Sequence, residues 1–187
     1  MEPSDSDIEQ RLRSTPPEAW QRLWSAYDAL LAEQPSPWEI RTHTPNGALC
    51  MPYAVYSDTV NDVRRALTEV KVNVDFDWRN WDGIQRYEQG EDLAEAPVAE
   101  ACRLLTMLTR AERFCDGTIG HALRTGTLQA ALLRLRTWHD RTPRPPLPMP
   151  PWLTEDRQAN AASPARPPTS LPLPPPPPSR FPPVPPR

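Results

Sequence analysis

Apolar residues recur at three- and four-residue spacing in block after block of the first 140 residues, and each block predicts an amphipathic helix. In "TPPEAWQRLWSAYDALLAE" the stripe is Trp20, Leu23, Trp24, Tyr27, Leu30 and Leu31. Thr15 stands where an N-cap belongs, Pro16 fits the first helical position, and Glu18 completes a capping box. "PSP" at 35–37 ends that helix. Ser57 or Asp58 caps a second, with Val60, Val63, Leu67 and Val70 on one face. A third is predicted from Asp77, with Trp78, Trp81, Ile84 and Tyr87 together, and a fourth from Pro97 to about Phe114, with Ala101, Cys102, Leu105 and Leu108 inward. A short helix over 119–124 stops at Gly126, a C-terminal cap, and the last helix aligns Leu128, Ala131, Leu132, Leu135 and Trp138.

Between the first two helices the periodicity lapses. Pro45-Asn46-Gly47 is a turn flanked by short extended segments, an irregular or hairpin-like section. The expected fold is therefore mainly α: a compact bundle of about five helices over residues 15–141. Residues 1–14 are short of large apolar side chains and are expected to be a frayed, acidic N-terminus.

Composition changes the picture at one end. Eight of the 27 prolines fall in residues 1–140 and 19 in the remainder. Proline lacks the N–H that helices and sheets need, so residues 142–187 are expected to be an extended, solvated tail. Two P-x-x-P-x-R matches, at 175–180 and 182–187, fit peptide-docking patterns but arise readily in such a segment. The spacer reading is preferred.

Charge divides the same way. Residues 1–142 carry sixteen basic and 22 acidic groups, and 143–187 carry five basic and two acidic. An acidic body does not advertise nucleic-acid binding. The polar start "MEPSDSDIEQ", the lack of a membrane-length apolar run and three irregularly spaced cysteines suit a cytoplasmic protein with free thiols and no membrane association.

The stretch "RAERFCDGTIGHALRTG" (110–126) poses the chemical question. A nucleophilic Cys115 with His121 as base needs the two in reach, yet they lie six residues apart across a turn, and Asp116 would raise the thiol pKa. The packing reading is favoured. No Cys or His pair has zinc-ligand spacing, "DFDWRNWDG" follows a calcium loop for two positions only, and no phosphate loop or nucleophile elbow is present. No cofactor or metal is expected.

Two polar constellations remain. Arg103, Thr106, Arg110 and Arg113 fall at i, i+3, i+7 and i+10, so they share a helix face. That face is either solvated and paired with acids or an anion contact, arginine's fork being suited to the latter. Glu112 is expected to order these arginines or pair with one. The second constellation is Tyr53 and Tyr56 with "FDWRNW" (76–81, holding Asp77 and Trp78) and Arg86-Tyr87, either pocket lining or core aromatics with polar tips at the surface.

Read in order, Met51, Pro52, Tyr53 and Tyr56; Phe76, Asp77, Trp78 and Trp81; Arg86 and Tyr87; Arg110, Glu112, Arg113, Phe114, Cys115 and Gly117; and Gly126, Leu135 and Arg136 resemble the pattern of an uncharacterised bacterial family, a domain of unknown function. The resemblance spans 52–136 and implies a small α-rich protein with no assigned activity. The expected function is a non-enzymatic binding or interaction module using the 103–136 helical region, with a protein partner. The alternative is an enzyme or regulator acting on a nucleotide or nucleic acid through the arginine-lined face. A structural component of a phage or mobile element is a third possibility.

Overall fold

In the computed structural model, residues 2–142 are described apart from positions 35, 89 and 91. The proline-rich tail and its docking patterns lie outside the described residues. The element order is α1 (Asp5–Arg13), α2 (Pro17–Ala32), β1 (Trp38–His43), β2 (Leu49–Tyr56), α3 (Asp58–Glu69), α4 (Gly83–Arg86), α5 (Val98–Ala111), α6 (Thr118–Thr125) and α7 (Thr127–Arg141). The fold is mainly α, with a single two-stranded antiparallel hairpin among the described residues. None of the described helices is long and apolar enough to cross a membrane.

The helical stripes become one continuous core. Helix α2 packs on α3, and α5 packs on α1, α6 and α7. Leu23, Val60, Val63, Leu104, Leu105, Leu132 and Leu135 are almost wholly removed from water. Ser57 caps α3, as its position predicts, accepting from the Val60 amide. Gly126, at φ +83°, ends α6 and starts α7 in one residue, a conformation open to glycine at little cost.

Three local expectations are corrected. Residues 5–13 are helical rather than frayed. Ser4 and Asp7 form a complete capping box, with Ser4 Oγ accepting from the Asp7 amide at 3.2 Å and Asp7 accepting from the Ser4 amide at 3.0 Å. The Ser4 hydroxyl, donating to the Asp7 carboxylate at 2.7 Å, and then the Ser4 amide hold that carboxyl below its usual range. Ile8 and Leu12, one turn apart, then bury completely. Two apolar side chains suffice because α5 supplies the other half of the interface.

Thr15 is not an N-cap. Pro16 occupies that position without a side-chain bond, and the Thr15 hydroxyl instead donates to the Val70 carbonyl at 3.0 Å. The helix expected from Asp77 shrinks to α4. Asn80 donates to the Asp77 carboxylate at 2.7 Å, and the Trp78 amide turns back to the Phe76 carbonyl. Such local polar bonds compete with the helical ladder. Trp81 stacks edge-on to Phe76 and covers Gly83, where a Cβ would collide with the indole.

The hairpin pairs Trp38 with Tyr56, Ile40 with Ala54 and Arg41 with Tyr53, then slips in register between Arg41 and His43. Trp38 and Ile40 lie against Gly117 and Gly120 at the start of α6. A Cβ on Gly120 would penetrate the Trp38 ring, so the glycine is what lets strand and helix approach.

Candidate functional site

The turn from α5 into α6 is built around one carboxylate. Glu112, 7% exposed, accepts from the Gly117 amide at 3.1 Å, the Ile119 amide at 2.8 Å and the Tyr56 hydroxyl at 2.8 Å. The Tyr56 oxygen in turn accepts from the Gly120 amide at 3.2 Å. Together they satisfy N–H groups at the beginning of α6, which would otherwise be left without partners. Burial, with the Glu112 hydrogen bond second, pushes the Tyr56 phenol well above its ordinary range. Glu112 therefore neither orders nor pairs with the arginines. It fastens the hairpin to the corner.

Anchoring Glu112 inward turns the next residues outward. The Phe114 and Cys115 amides both bond to the Ala111 carbonyl, winding the chain off the helix axis, and Gly117 at φ +92° reverses it. Arg113, Phe114, Cys115 and Asp116 are all exposed. Phe114 keeps 68% of its surface in water. Its ring stacks on Trp78 at 6.1 Å between centroids, and the Arg79 guanidinium lies 5.3 Å from the Trp78 ring and 5.6 Å from Phe114. Cys115, expected to pack inside, is at the surface. Among the described residues it makes no hydrogen bond to His121, whose Nδ1 faces Arg124 at 3.0 Å.

The polar face expected along α5 does not survive as one surface. Thr106 is fully buried and donates to the Cys102 carbonyl at 2.7 Å, while accepting from the Val74 amide at 2.9 Å. Arg103 lies 2.7 Å from Glu100 and 2.8 Å from Asp5, with Glu2 at 3.7 Å. Burial of Arg103 opposes its charge, but the bonds to Asp5 and Glu100 outweigh it and raise its pKa. Arg110 reaches Asp75 at 3.5 Å, across to an almost fully exposed carboxylate. Only Arg113 of this series is both exposed and without an ion pair among the described residues.

The other nominated residues disperse likewise. Tyr53 is half-buried in the hairpin opposite Arg41, and Asp77 is exposed and bonded to Asn80. Trp78 alone is carried to the corner, through Phe114. Among the described residues, no side-chain hydrogen bond or ion pair joins any two of Tyr53, Asp77, Trp78, Arg103, Arg110, Glu112 and Arg113. No catalytic constellation forms from them.

A family model described as a family of unknown function, DUF6508, matches residues 15–141. The chain belongs to that family. No curated protein and no solved structure matches it. Helix α1 precedes the matched region of this DUF6508 domain and packs on α5.

The inner side of the same corner is concave. A cleft of about 430 Å³ lies between α4, α5 and α6. Buried Leu104, Leu108 and Ala122 form its floor, while Glu88, Asp116 and His121 stand at its exposed rim. Sequence reasoning missed both Phe114 and this cleft. The periodic pattern ran through Phe114 as another inward position, and the cleft joins segments about thirty residues apart.

Proposed function

We propose that this DUF6508 domain is a non-enzymatic binding module whose contact face is the corner formed by Trp78, Arg79, Arg113 and Phe114. The observation that carries the reading is the exposed Phe114 ring stacked on the half-buried Trp78, with Arg79 against both rings. Aromatic residues and arginine dominate the energetic centres of protein interfaces, where they fill well-packed, desolvated pockets. The corner is also rigid beneath its surface, since Glu112 and Tyr56 bind α6 to the hairpin. The partner that fits is a protein segment offering an apolar side chain to Phe114 and a carboxylate to Arg113. Asp75, Asp77 and Asp116 are exposed along the same chain segments and oppose a phosphate backbone.

The test is capture from host lysate by the immobilised full chain, with and without nuclease, against a Phe114→Ala variant. Expected is a protein retained after nuclease and lost with Phe114→Ala, while the variant's circular dichroism and urea midpoint stay at wild-type values. Capture that ignores Phe114→Ala overturns the assignment of this face. Capture abolished by nuclease replaces it with the nucleic-acid reading.

A further inference from the structure

The cleft behind the corner has a chemistry of its own. Its volume falls in the range of small-molecule sites, and its floor is aliphatic. Most polar groups at its edge are already engaged. The Thr118 hydroxyl donates to the Cys115 carbonyl at 2.7 Å, and the Thr127 hydroxyl donates to the Glu88 carbonyl at 2.6 Å. The Arg124 guanidinium lies 3.0 Å from His121 Nδ1.

What stays available is mostly negative. The Glu88 and Asp116 carboxylates line the cleft, are exposed, and make no ion pair with any described residue. Elsewhere in this arginine-rich domain acids are commonly paired, as Glu100 is with Arg86 and Arg103, and Asp28 with Arg136. Two acceptor-only groups above an aliphatic floor are complementary to a ligand with an apolar body and a donor-rich positive end.

We infer that the cleft between α4, α5 and α6 binds a small organic cation, an amine or guanidine on an apolar body, with Glu88 and Asp116 facing the charge and Leu104, Leu108 and Ala122 covering the carbon frame. This site is independent of the protein-binding face, since neither Trp78 nor Phe114 lines it.

Three probes of matched carbon frame separate charge from greasiness: hexylamine, hexanol and hexanoate, each titrated into the full chain and followed by backbone amide NMR. Hexylamine is expected to shift the Gln85, Asp116 and His121 amides saturably, with hexanol much weaker and hexanoate silent. Glu88→Gln combined with Asp116→Asn weakens hexylamine about tenfold, the scale of a charge-assisted contact. Phe114→Ala leaves it unchanged, which separates this site from the partner face. The inference falls if hexanoate shifts the same amides as strongly. It also falls if the double variant, folded by circular dichroism, retains hexylamine at full affinity, or if no probe gives a saturable shift.

Discussion

Two aromatic clusters in this domain are built from similar residues and end in opposite environments. At one end Trp20 stacks on Trp24 at 5.6 Å and lies 4.3 Å from the His139 ring, with Trp138 beside it. Trp24 donates its indole N–H to His139 Nδ1 at 3.3 Å, so even the polar edge is matched. At the other end Phe114 stacks on the half-buried Trp78, and Arg79, itself exposed, lies against the Phe114 ring. Trp20 is 4% exposed and Phe114 68%. The first cluster closes the seam between α2 and α7; the second sits where α5 has already ended. Burial, not composition, separates an aromatic that holds the fold from one left facing water.

The largest effect should come from breaking the closed cluster. Trp20→Ala removes a buried indole between two rings and is expected to destabilise the domain by about 3–5 kcal/mol. Phe114→Ala should cost less than about 1 kcal/mol, since its ring already faces water on most of its surface. Urea denaturation followed by circular dichroism measures both, with the m-value checking that each variant still unfolds in one step. Equal losses would mean that the corner aromatics hold the fold as much as the closed cluster does.

The difference between the clusters was only half legible in the sequence. The stripe through Trp20, Leu23 and Tyr27 predicts burial because a long helix repeats one face several times, and no local bond competes with it. The same periodic logic fails at Asp77–Tyr87 and at Phe114. In the first, Asp77 and Asn80 bond locally and Trp81 finds Phe76 and Tyr87, so tertiary aromatic packing overrides the helical repeat. In the second, Glu112 is pulled inward by amides five and seven residues ahead, a rotation that spacing does not encode. Helix α1 was legible after all, in the S-x-x-D box and the Ile8–Leu12 pair, but those signs are short. Arg103, Arg110 and Arg113 keep their helical spacing while their partners differ, because ion pairing depends on elements distant in the chain.

An intermediate effect tests the joint that sets the corner's position. Alanine is normally favoured over glycine inside a helix by about 1 kcal/mol. At Gly120 that gain meets the Trp38 ring, which must swing away and loosen the hairpin. The clash should win, and Gly120→Ala is expected to lose about 1–3 kcal/mol net, the usual range for overpacking. Because Tyr56 accepts from the Gly120 amide, the same variant should disturb the Glu112 latch and weaken partner capture by the corner. A Gly120→Ala protein as stable as wild type would show that strand and helix are less tightly joined than this contact implies.

The smallest effect repeats the comparison in thiols. Cys102 is buried on α5 and Cys115 is exposed beside Phe114. Burial pushes the Cys102 thiol up from its ordinary value of 9.0 to about 12, against weaker opposing pulls from Arg11 and Arg103. The sign follows from proton counting: above pH 9 the unfolded chain releases this proton while the folded one keeps it, so unfolding releases protons and stability falls as pH rises. The contribution is fully present below pH 9 and is lost progressively towards pH 12, with a loss of about 1 kcal/mol by pH 10. Tyr56, also raised by burial, adds to the decline in the same direction at higher pH. Urea midpoints between pH 8 and pH 10.5 should therefore fall more steeply for wild type than for Cys102→Ala, whose neutral-pH loss is a constant offset rather than a slope. Cys115→Ala, at an exposed position, should change stability at neutral pH by less than about 0.5 kcal/mol. A curve as steep for Cys102→Ala as for wild type would overturn the role of this buried thiol in the decline.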